Sequence, residues 1–196
     1  MIEQTLVLLK PDAVQRSLVG EIISRFEQCG LKIVAMKMQH AKEELTAKHY
    51  AADENWMISV GEKTVKSYAA RGVQLPRTAL EHGRLVRNQL MDFLAQSPII
   101  ALVLEGHNAV SHVRRLVGPT SPENAAPGTI RGDYSIDTYQ LADNSERALQ
   151  NLIHASESVS EAKREISVWF TQEELFQWTN IHEAVIYRGL KNAQGK

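Results

Sequence analysis

The sequence has little of what disulfide-bonded and membrane-spanning proteins depend on. Cys29 is the only cysteine, so no disulfide can form within the chain and no Cys-x-x-Cys metal site exists. A reducing, cytoplasmic setting matches this best. No apolar run approaches the roughly 18 residues that cross a bilayer, and the first residues lack the basic segment and apolar stretch of a signal peptide. We therefore expect a cytoplasmic protein that does not contact a membrane.

The chain also lacks an excess of charge of either sign. Its 22 lysines and arginines face 23 aspartates and glutamates, which gives a formal net charge of -1. The basic field that recruits nucleic acid is absent, and the aromatic residues are not interleaved with basic runs. We expect no nucleic-acid partner, and an anionic ligand has to be held by local cations.

Two motifs of phosphate and metal chemistry are missing as well. Gly-x-x-x-x-Gly-Lys-Ser/Thr does not occur, so the chain has no Walker-type phosphate loop. The seven histidines show no His-Glu-x-x-His or comparable spacing. We therefore expect no metal ion held by protein ligands.

The length and the apolar pattern indicate one domain of mixed structure. A chain of 196 residues with 43% hydrophobic content fits a single domain, 1–196, with an ordinary core. The glycines and the proline at 61, 72, 76 and 83 read as breaks that leave 55–83 hard to place. The expected architecture is an α+β sandwich, with an antiparallel sheet covered by helices. Apolar runs predict strands at 5–9, 31–36 and 98–104, a short strand at 134–136, and a late strand or extended tail at 184–187; helical spacing is found at 19–26, 43–50, 64–70, 85–95, 108–116, 144–149 and 159–170.

His154 is the most informative candidate for chemistry. It stands between small and polar neighbours in Asn-Leu-Ile-His-Ala-Ser-Glu at 151–157. Imidazole is an available nucleophile at neutral pH, because its ordinary pKa is near ~6.5. An unaided histidine is more often a surface or structural residue, so a catalytic role for His154 depends on the groups around it.

Several cations could accompany this histidine. Lys10 follows a buried strand and precedes a proline, so its backbone is stiff, although a surface lysine at a strand end reads equally well. Arg114 and Arg115 point about 100° apart on a helix, so at most one naturally faces a cleft. Arg131 lies in Gly-Thr-Ile-Arg-Gly-Asp at 128–133, and its planar fork suits phosphate. The alternative for Arg131 is an ordinary turn with an ion pair to Asp133.

Glu165 follows His154 by eleven residues. A carboxylate on one ring nitrogen fixes the tautomer and leaves the lone pair of the other nitrogen free to attack. The alternative is that Glu165 pairs with a basic residue on its own helix surface.

Four segments of the sequence match those of one enzyme family. They read Thr-Leu-Val-Leu-Leu-Lys-Pro-Asp-Ala-Val-Gln-Arg at 5–16, Leu-Val-Gly-Glu-Ile-Ile at 18–23, Pro-Gly-Thr-Ile-Arg-Gly-Asp at 127–133 and Asn-Leu-Ile-His-Ala-Ser-Glu-Ser at 151–158. Trp-Phe at 169–170 and Glu-Glu-Leu at 173–175 match its closing helix and tail. On these residues the chain resembles the nucleoside diphosphate kinase family, with insertions near 55–83 and 137–150.

This resemblance implies a fold, a reaction and a set of partners. The fold is a ferredoxin-like sandwich. The reaction transfers the γ-phosphate of a nucleoside triphosphate, typically ATP, to a nucleoside diphosphate by a ping-pong mechanism through a phosphohistidine. It also implies Mg²⁺ carried on the nucleotide phosphates, and a homo-oligomer.

The resemblance also implies roles for particular residues. His154 becomes the residue that is phosphorylated, on its pros nitrogen, and Ser156 and Glu165 become the groups that support it. Lys10 and Asn151 fall near the sugar hydroxyl. The positions that match nucleotide contacts of the family are Lys10, Tyr50, Arg114, Thr120, Arg131 and Asn151.

One departure from the family pattern concerns the nucleobase. The family usually clamps the base with a phenylalanine about ten residues after the tyrosine matched by Tyr50. A count back from Pro98 without gaps puts Val86 at that position, and an aliphatic side chain stacks less well than an aromatic ring. The enlarged 137–150 region could alter assembly or cover the site.

A second reading of the function stays open at this stage. The same fold could serve as a catalytically weak nucleotide-binding or regulatory module, because a fold does not by itself prove an activity. An inactive copy is expected to lose the histidine, the lysine or an arginine, and this chain keeps all of them.

Overall fold

The computed structural model of the chain describes residues 2–188, apart from the side chain of Ser67. The ends of the domain expected over 1–196, residue 1 and residues 189–196, lie outside the described residues. None of the helices in 2–188 has the length and apolar character that a bilayer crossing requires.

Four strands form a single antiparallel sheet. They are β1 Ile2–Leu9, β2 Lys32–Gln39, β3 Ile99–His107 and β4 Ile153–Ala155, and their order across the sheet is β2-β3-β1-β4. β1 pairs with β3 and with β4, and β2 pairs with β3, all in antiparallel directions. This order is that of the ferredoxin-like sandwich, and the expected α+β fold is confirmed.

Helices cover both faces of this sheet. The helices are α1 Pro11–Gln15, α2 Val19–Gln28, α3 Glu43–His49, α4 Glu54–Ala70, α5 Ala79–Ala95, α6 Ala109–Val117, α7 Ile130–Tyr134, α8 Tyr139–Asn144, α9 Val159–Trp169 and α10 Ile181–Ile186, with 3-10 turns at Pro122–Asn124 and Gln172–Glu174.

The apolar run of β1 explains why it lies inside the sheet. Successive side chains of a strand point to opposite faces. Val7 and Leu9 therefore pack in one cluster with α2 and α6, whereas Leu6 and Leu8 pack in another with α5 and α9. All four are fully buried, which is what a continuous apolar run with both faces covered requires.

The stretch 55–83 forms most of a helical hairpin, α4 and α5. Two of the residues read as breaks, Gly61 and Gly83, lie inside these helices. A Cβ atom at Gly61 would lie 1.7 Å from the carbonyl oxygen of Ala79, and one at Gly83 would lie 1.9 Å from that of Met57. Only glycine allows this close approach of two backbones. These glycines are therefore contact points between helices, not helix breaks.

Three local predictions were wrong. Residues 134–136 do not form a strand, since α7 ends at Tyr134 and extended backbone without pairing follows. Helix α8 ends at Asn144, so only the first residue of the helix predicted over 144–149 is helical. Residues 184–187 overlap α10 and are not a strand; the fourth strand is β4, whose three residues are too few to show an alternating pattern.

Candidate active site

A strained turn leads into the strand that carries His154. The amide of Ile153 donates to the carbonyl of Asn151 at 2.8 Å, and Leu152 between them has a φ of 68°. This γ-turn geometry costs about 1–3 kcal/mol for a residue other than glycine. Its neighbours hold it in place, because the amide of Leu152 donates to Asp12 at 2.9 Å and the amide of Lys10 donates to the carbonyl of Leu152 at 2.8 Å.

Glu165 on α9 orients the ring of His154. Its Oε1 lies 2.8 Å from Nε2 of His154, and its Oε2 accepts a hydrogen bond from the hydroxyl of Ser156 at 2.6 Å. Burial alone would raise the pKa of the Glu165 carboxyl, but the charge and hydrogen bond of His154 lower it to about 2. The carboxylate is therefore charged and places the ring proton on Nε2, which leaves the lone pair of Nδ1 free.

His154 is open to solvent on one side only. Its side chain is 22% exposed. The ring of His49 packs against it edge to face, with centroids 4.6 Å apart. Nδ1 of His49 accepts a hydrogen bond from the indole of Trp169 at 3.2 Å. Burial, then the charge of His154, holds the pKa of His49 well below its ordinary value, so His49 is a neutral wall beside the nucleophile. The sequence patterns did not single it out.

His49, His154 and Glu165 also bring three potential metal ligands within 4.8 Å of one another. Mg²⁺ prefers oxygen ligands in octahedral geometry. This cluster offers two imidazoles, and the oxygens of its one carboxylate already hydrogen-bond to His154 and to a serine. The donor set does not fit Mg²⁺.

Lys10 lies buried at the start of α1, where β1 ends. Its ammonium donates to Oδ1 of Asn151 at 2.8 Å, and Nδ2 of Asn151 donates to the carbonyl of Thr120 at 2.7 Å. Burial, and then the charge of Arg131, lowers the pKa of Lys10 to about 8, although Asp12 opposes the shift. The alternative of a surface lysine is therefore excluded.

Arg131 is buried and bonds mainly to the backbone. Its guanidinium donates to the carbonyls of Gly118 at 2.9 Å, Asn151 at 3.2 Å and Ile153 at 2.6 Å. Three of its five N–H groups are used in this way. Burial, and then the charge of Arg114, lowers the pKa of Arg131 to about 10. Two like charges close together favour the binding of an anion between them.

The alternatives for the arginines are settled by their neighbours. Asp133 does not pair with Arg131; it forms an ion pair with Arg25 at 2.7 Å. Arg115 contacts a histidine of its own helix at 3.2 Å. Arg114 is exposed and, within residues 2–188, no hydrogen bond or ion pair occupies it. It is the arginine of the pair whose charge reaches Arg131.

A cavity of about 550 Å³ lies beside these groups, which is within the usual range for ligand sites. Three of the six predicted nucleotide contacts line it: Lys10, Thr120 and Asn151. Tyr50, Arg114 and Arg131 are not in its lining, and Tyr50 packs edge to face against His49. The remaining walls come from α4, α5 and the region 139–149, and include Trp56, Val60, Thr64, Val86, Gln89, Leu90, Tyr139, Ala142 and Asp143.

The aromatic side chains of this cavity were missed from the sequence. Trp56 and Tyr139 both lie in the stretches that the sequence predicts as insertions, 55–83 and 137–150, and neither stands in a recognisable motif. The sequence holds one weak signal for the helix that carries Trp56. Asp53, three residues earlier, is of a type that often caps the N-terminus of a helix. In the structure its carboxylate accepts a hydrogen bond from the amide of Trp56 at 2.7 Å. This cap predicts a helix that begins near residue 54.

Comparison with known proteins identifies the family of the chain. The family model described as nucleoside diphosphate kinase matches residues 3–59 and 79–175. The chain belongs to the nucleoside diphosphate kinase family. The expected family resemblance is therefore confirmed, and residues 60–78 between the two matched stretches lie inside α4 and the turn that follows it.

Relatives in the family are similar over most of their length. The nucleoside diphosphate kinase of Pyrobaculum aerophilum is 50% identical over 182 residues, covering 90% of this chain and 99% of that protein. That of Pyrococcus furiosus is 41% identical over 194 residues, covering 98% of each.

Solved structures of family members share the fold. A crystal structure of an NDP kinase from Pyrobaculum aerophilum has a TM-score of 0.87 at 49% identity and covers 90% of this chain and 100% of that one. A nucleoside diphosphate kinase from Borrelia burgdorferi, solved as a transition state mimic with bound vanadate and ADP, has a TM-score of 0.77 at 35% identity, covering 94% and 96%.

Proposed function

We propose that the chain is a nucleoside diphosphate kinase that transfers the γ-phosphate of a nucleoside triphosphate, typically ATP, to a nucleoside diphosphate through phosphorylated His154. The observation that carries this is the 2.8 Å contact between Nε2 of His154 and Glu165, which leaves Nδ1 as the nucleophile. The similarity to named kinases along most of the chain supports the same reaction.

The first half-reaction forms the phosphohistidine. The lone pair of Nδ1 attacks the γ-phosphorus in line with the bond to the bridging oxygen, that bond breaks, and the nucleoside diphosphate leaves with its electrons. The ring gains positive character as the N–P bond forms, and the carboxylate of Glu165, held by Ser156, stabilises that charge. A terminal phosphate oxygen of a second nucleoside diphosphate then attacks the phosphorus, the N–P bond breaks with its electron pair returning to Nδ1, and His154 is again neutral.

The cations near His154 hold the phosphates and the sugar. Within residues 2–188 no group occupies the donors of Arg114, and Arg131 keeps two N–H groups beyond its three carbonyl contacts. Lys10 and Asn151, joined at 2.8 Å, meet the sugar hydroxyl, and Thr120 stands beside them in the cavity lining. Mg²⁺ enters as part of the nucleotide, since the histidine cluster does not suit it.

The ring of Tyr50 packs against the ring of His49 and supports it. The two rings are 4.6 Å apart, and burial raises the pKa of the Tyr50 hydroxyl. The ring stays neutral and closes the side of the site behind His49. Its contact with the nucleotide follows from its match to the family position.

The alternative of a weak nucleotide-binding module has no observation in its favour. The histidine, its carboxylate and the three cations are all present, and Glu165 is hydrogen-bonded as the reaction needs. We therefore favour an active kinase over a catalytically weak binding module.

The chain is expected to act as a homo-oligomer in the cytoplasm. β2 is an edge strand of the sheet, and it exposes the apolar side chains of Met36 and Met38. Edge strands with apolar side chains are natural sites of pairing between chains. A single cysteine, Cys29, supports the reducing setting. Light scattering of the purified protein measures the oligomer, and a monomer at all concentrations would contradict this part of the proposal.

Labelling with nucleotide tests the function. The protein is incubated with MgATP labelled at the γ-phosphate and quenched in alkali, in which phosphohistidine survives, and transfer of label to GDP is measured in parallel. Wild type and the control His107→Ala should take up label and pass it to GDP. His154→Ala should do neither. A His154→Ala protein that still exchanges phosphate between nucleotides would overturn the proposal.

A further inference from the structure

The last turn of α3 ends in four backbone carbonyls that its own helix does not bond. The amide of Tyr50 donates to the carbonyl of Thr46 at 2.9 Å, and the helix ends at His49. The carbonyls of residues 47–50 therefore have no donor within the helix. A buried acceptor left without a partner costs about 1–3 kcal/mol, so donors from other parts of the chain stabilise this helix end.

Arg87 of α5 supplies donors to two of these carbonyls. Its Nε donates to the carbonyl of Tyr50 at 2.7 Å, and one of its terminal nitrogens donates to that of Ala47 at 3.4 Å. The side chain is half-buried and does not belong to the lining of the cavity beside Lys10. Arg87 therefore fixes the end of α3 to α5.

Arg164 of α9 supplies donors to the other two carbonyls. One terminal nitrogen donates to the carbonyl of Lys48 at 3.1 Å, and the other donates to that of His49 at 3.2 Å. The second of these nitrogens also lies 4.0 Å from Oε1 of Glu165. Positive charge at the C-terminus of a helix is favourable, so Arg164 fixes the end of α3 to the helix that carries the catalytic carboxylate.

The turn that the two arginines hold carries the ring of His49. This ring packs edge to face against that of His154, with centroids 4.6 Å apart. Its Nδ1 accepts a hydrogen bond from Trp169 at 3.2 Å, whereas its buried Nε2 has no hydrogen-bond partner in the part of the chain that the structure describes. One hydrogen bond does not fix a ring, so the place of His49 beside His154 depends on the backbone that carries it.

Two contacts set the orientation of His154. Glu165 holds Nε2 at 2.8 Å, which by itself lets the ring tilt about that hydrogen bond. The ring of His49 packs against it and limits this motion. In-line attack by Nδ1 depends on the orientation, because a displacement of about 1 Å at a reacting group costs roughly a hundredfold in rate.

We propose that Arg87 and Arg164 are positioning residues for the phosphorylation of His154, which hold the last turn of α3 so that the ring of His49 stays against the nucleophile. The proposal rests on the proposed function, since it takes His154 as the nucleophile. Neither arginine lines the cavity beside Lys10. Both act through His49 and not on the nucleotide.

The expected effect is a loss of rate without a matching loss of affinity. Arg164→Ala should slow phosphorylation of His154 in a single turnover by about tenfold, a part of the roughly hundredfold cost of a full displacement. Arg87→Ala should slow it less, because the contact of Arg87 with Ala47 is long. Arg164→Lys keeps the charge and can donate to one carbonyl, so its rate should lie between those of Arg164→Ala and wild type. The dissociation constant of MgADP should change by less than about threefold in each variant.

Rapid-quench measurement with MgATP gives the rate, and calorimetric titration of the intact protein with MgADP gives the affinity. The matched controls are Lys163→Ala on α9 and Arg84→Ala on α5, both at exposed positions. Each removes one positive charge from the same helix as the residue that it controls for. Both controls should be phosphorylated at the wild-type rate.

A His49→Ala background tests whether Arg164 acts through the ring of His49. With no ring to place, adding Arg164→Ala to His49→Ala should slow phosphorylation by less than about twofold, against about tenfold in the wild-type background. Equal slowing in the two backgrounds would show that Arg164 acts by another route and would overturn the proposal. A loss of MgADP affinity as large as the loss of rate would also overturn it, because the arginine would then serve nucleotide binding.

Labelling of wild-type His154 on the same preparations separates this proposal from the proposed function. If wild type is labelled and both Arg87→Ala and Arg164→Ala are labelled equally fast, the positioning role is overturned and the proposed function stands. Thermal unfolding is measured for every variant, and lower stability with an unchanged rate shows that the two arginines have a structural role only. Wild type that takes up no label on His154 overturns the proposed function itself.

Discussion

Replacing Glu165 with glutamine removes one negative charge beside His154 and keeps the size of the side chain. In the wild type the carboxylate accepts from the ring at 2.8 Å and from Ser156 at 2.6 Å. A glutamine can accept only through its oxygen, and its amide donates. If the amide faces the ring, Nε2 must accept, the proton moves to Nδ1, and the nucleophilic lone pair is lost. If the oxygen faces the ring, the tautomer survives without the charge that stabilises the phosphorylated ring.

The magnitude follows from the charge of this carboxylate. Its pKa falls from 4.5 to about 2, which corresponds to about 3 kcal/mol in favour of the charged form, at ~1.36 kcal/mol per tenfold. Burial opposes this lowering, and part of the lowering comes from His49 and Ser156 as well as from His154. A hydrogen bond to a charged group is worth about 1.5–3 kcal/mol. We therefore expect phosphorylation of His154 to slow by roughly ten- to a hundredfold.

Rapid-quench measurement of phosphoenzyme formation in a single turnover with MgATP reports this step directly. The matched control is Glu161→Gln on the same helix, where the side chain is 45% exposed and pairs with Arg164 at 2.9 Å. Its rate should stay within a factor of about two of wild type, because surface ion pairs contribute little. A Glu165→Gln protein that is phosphorylated at the wild-type rate would refute the role of this carboxylate.

Two further predictions concern a charge and a contact. The pKa of Lys10 is lowered to about 8, so the ammonium of the free enzyme loses its proton as the pH rises through about 8. We expect kcat/KM, which reports the free enzyme, to fall over the same pH range. Lys10→Met should abolish this fall, and a fall that is unchanged in the variant would show that another group causes it. Gly83→Ala should lower the free energy of unfolding by about 1–3 kcal/mol, because its new Cβ would lie 1.9 Å from a carbonyl oxygen of α4. Thermal unfolding against Gly20→Ala, where a Cβ meets nothing within 4 Å, checks this, and equal stability of the two variants would contradict it.

The central sheet could be predicted because its strands have the composition that burial imposes. β1 and β3 carry continuous apolar runs, and both were found close to their predicted ranges. β4 was missed because three residues cannot show a period, and because one of them, His154, was read for its chemistry rather than its place in a strand. Its pairing with β1, with Leu8 opposite His154, depends on contacts between residues distant in sequence.

The hairpin shows a different limit of sequence reasoning. A glycine in a helical stretch reads as a break because its backbone is flexible. At Gly61 and Gly83 the same missing side chain serves to let two helices touch. The difference lies in what stands opposite each glycine, and that is known only once the chain has folded. The helix α5 therefore begins at Ala79, six residues before its predicted start.

The candidate site also contains contacts that the sequence could predict and contacts that it could not. The contact between Glu165 and His154 could be expected from chemistry, since a neutral nucleophilic histidine needs a group that fixes its proton, and the contact is present. The three hydrogen bonds that Arg131 donates to backbone carbonyls could not be expected. Those acceptors come from turns that the sequence does not bring together. The roles of His49 and Trp56 could not be predicted either, because a histidine or a tryptophan on a helix is most simply interpreted as a packing residue.

The nitrogen of His154 that carries the phosphoryl group can be identified directly by nuclear magnetic resonance. Two-dimensional ³¹P and ¹⁵N spectra of the phosphorylated, ¹⁵N-histidine-labelled protein distinguish the two ring nitrogens. We predict a single phosphohistidine at residue 154, with phosphorus on Nδ1 and a proton retained on Nε2 towards Glu165. Phosphorus on Nε2, or on any residue other than His154, would contradict it.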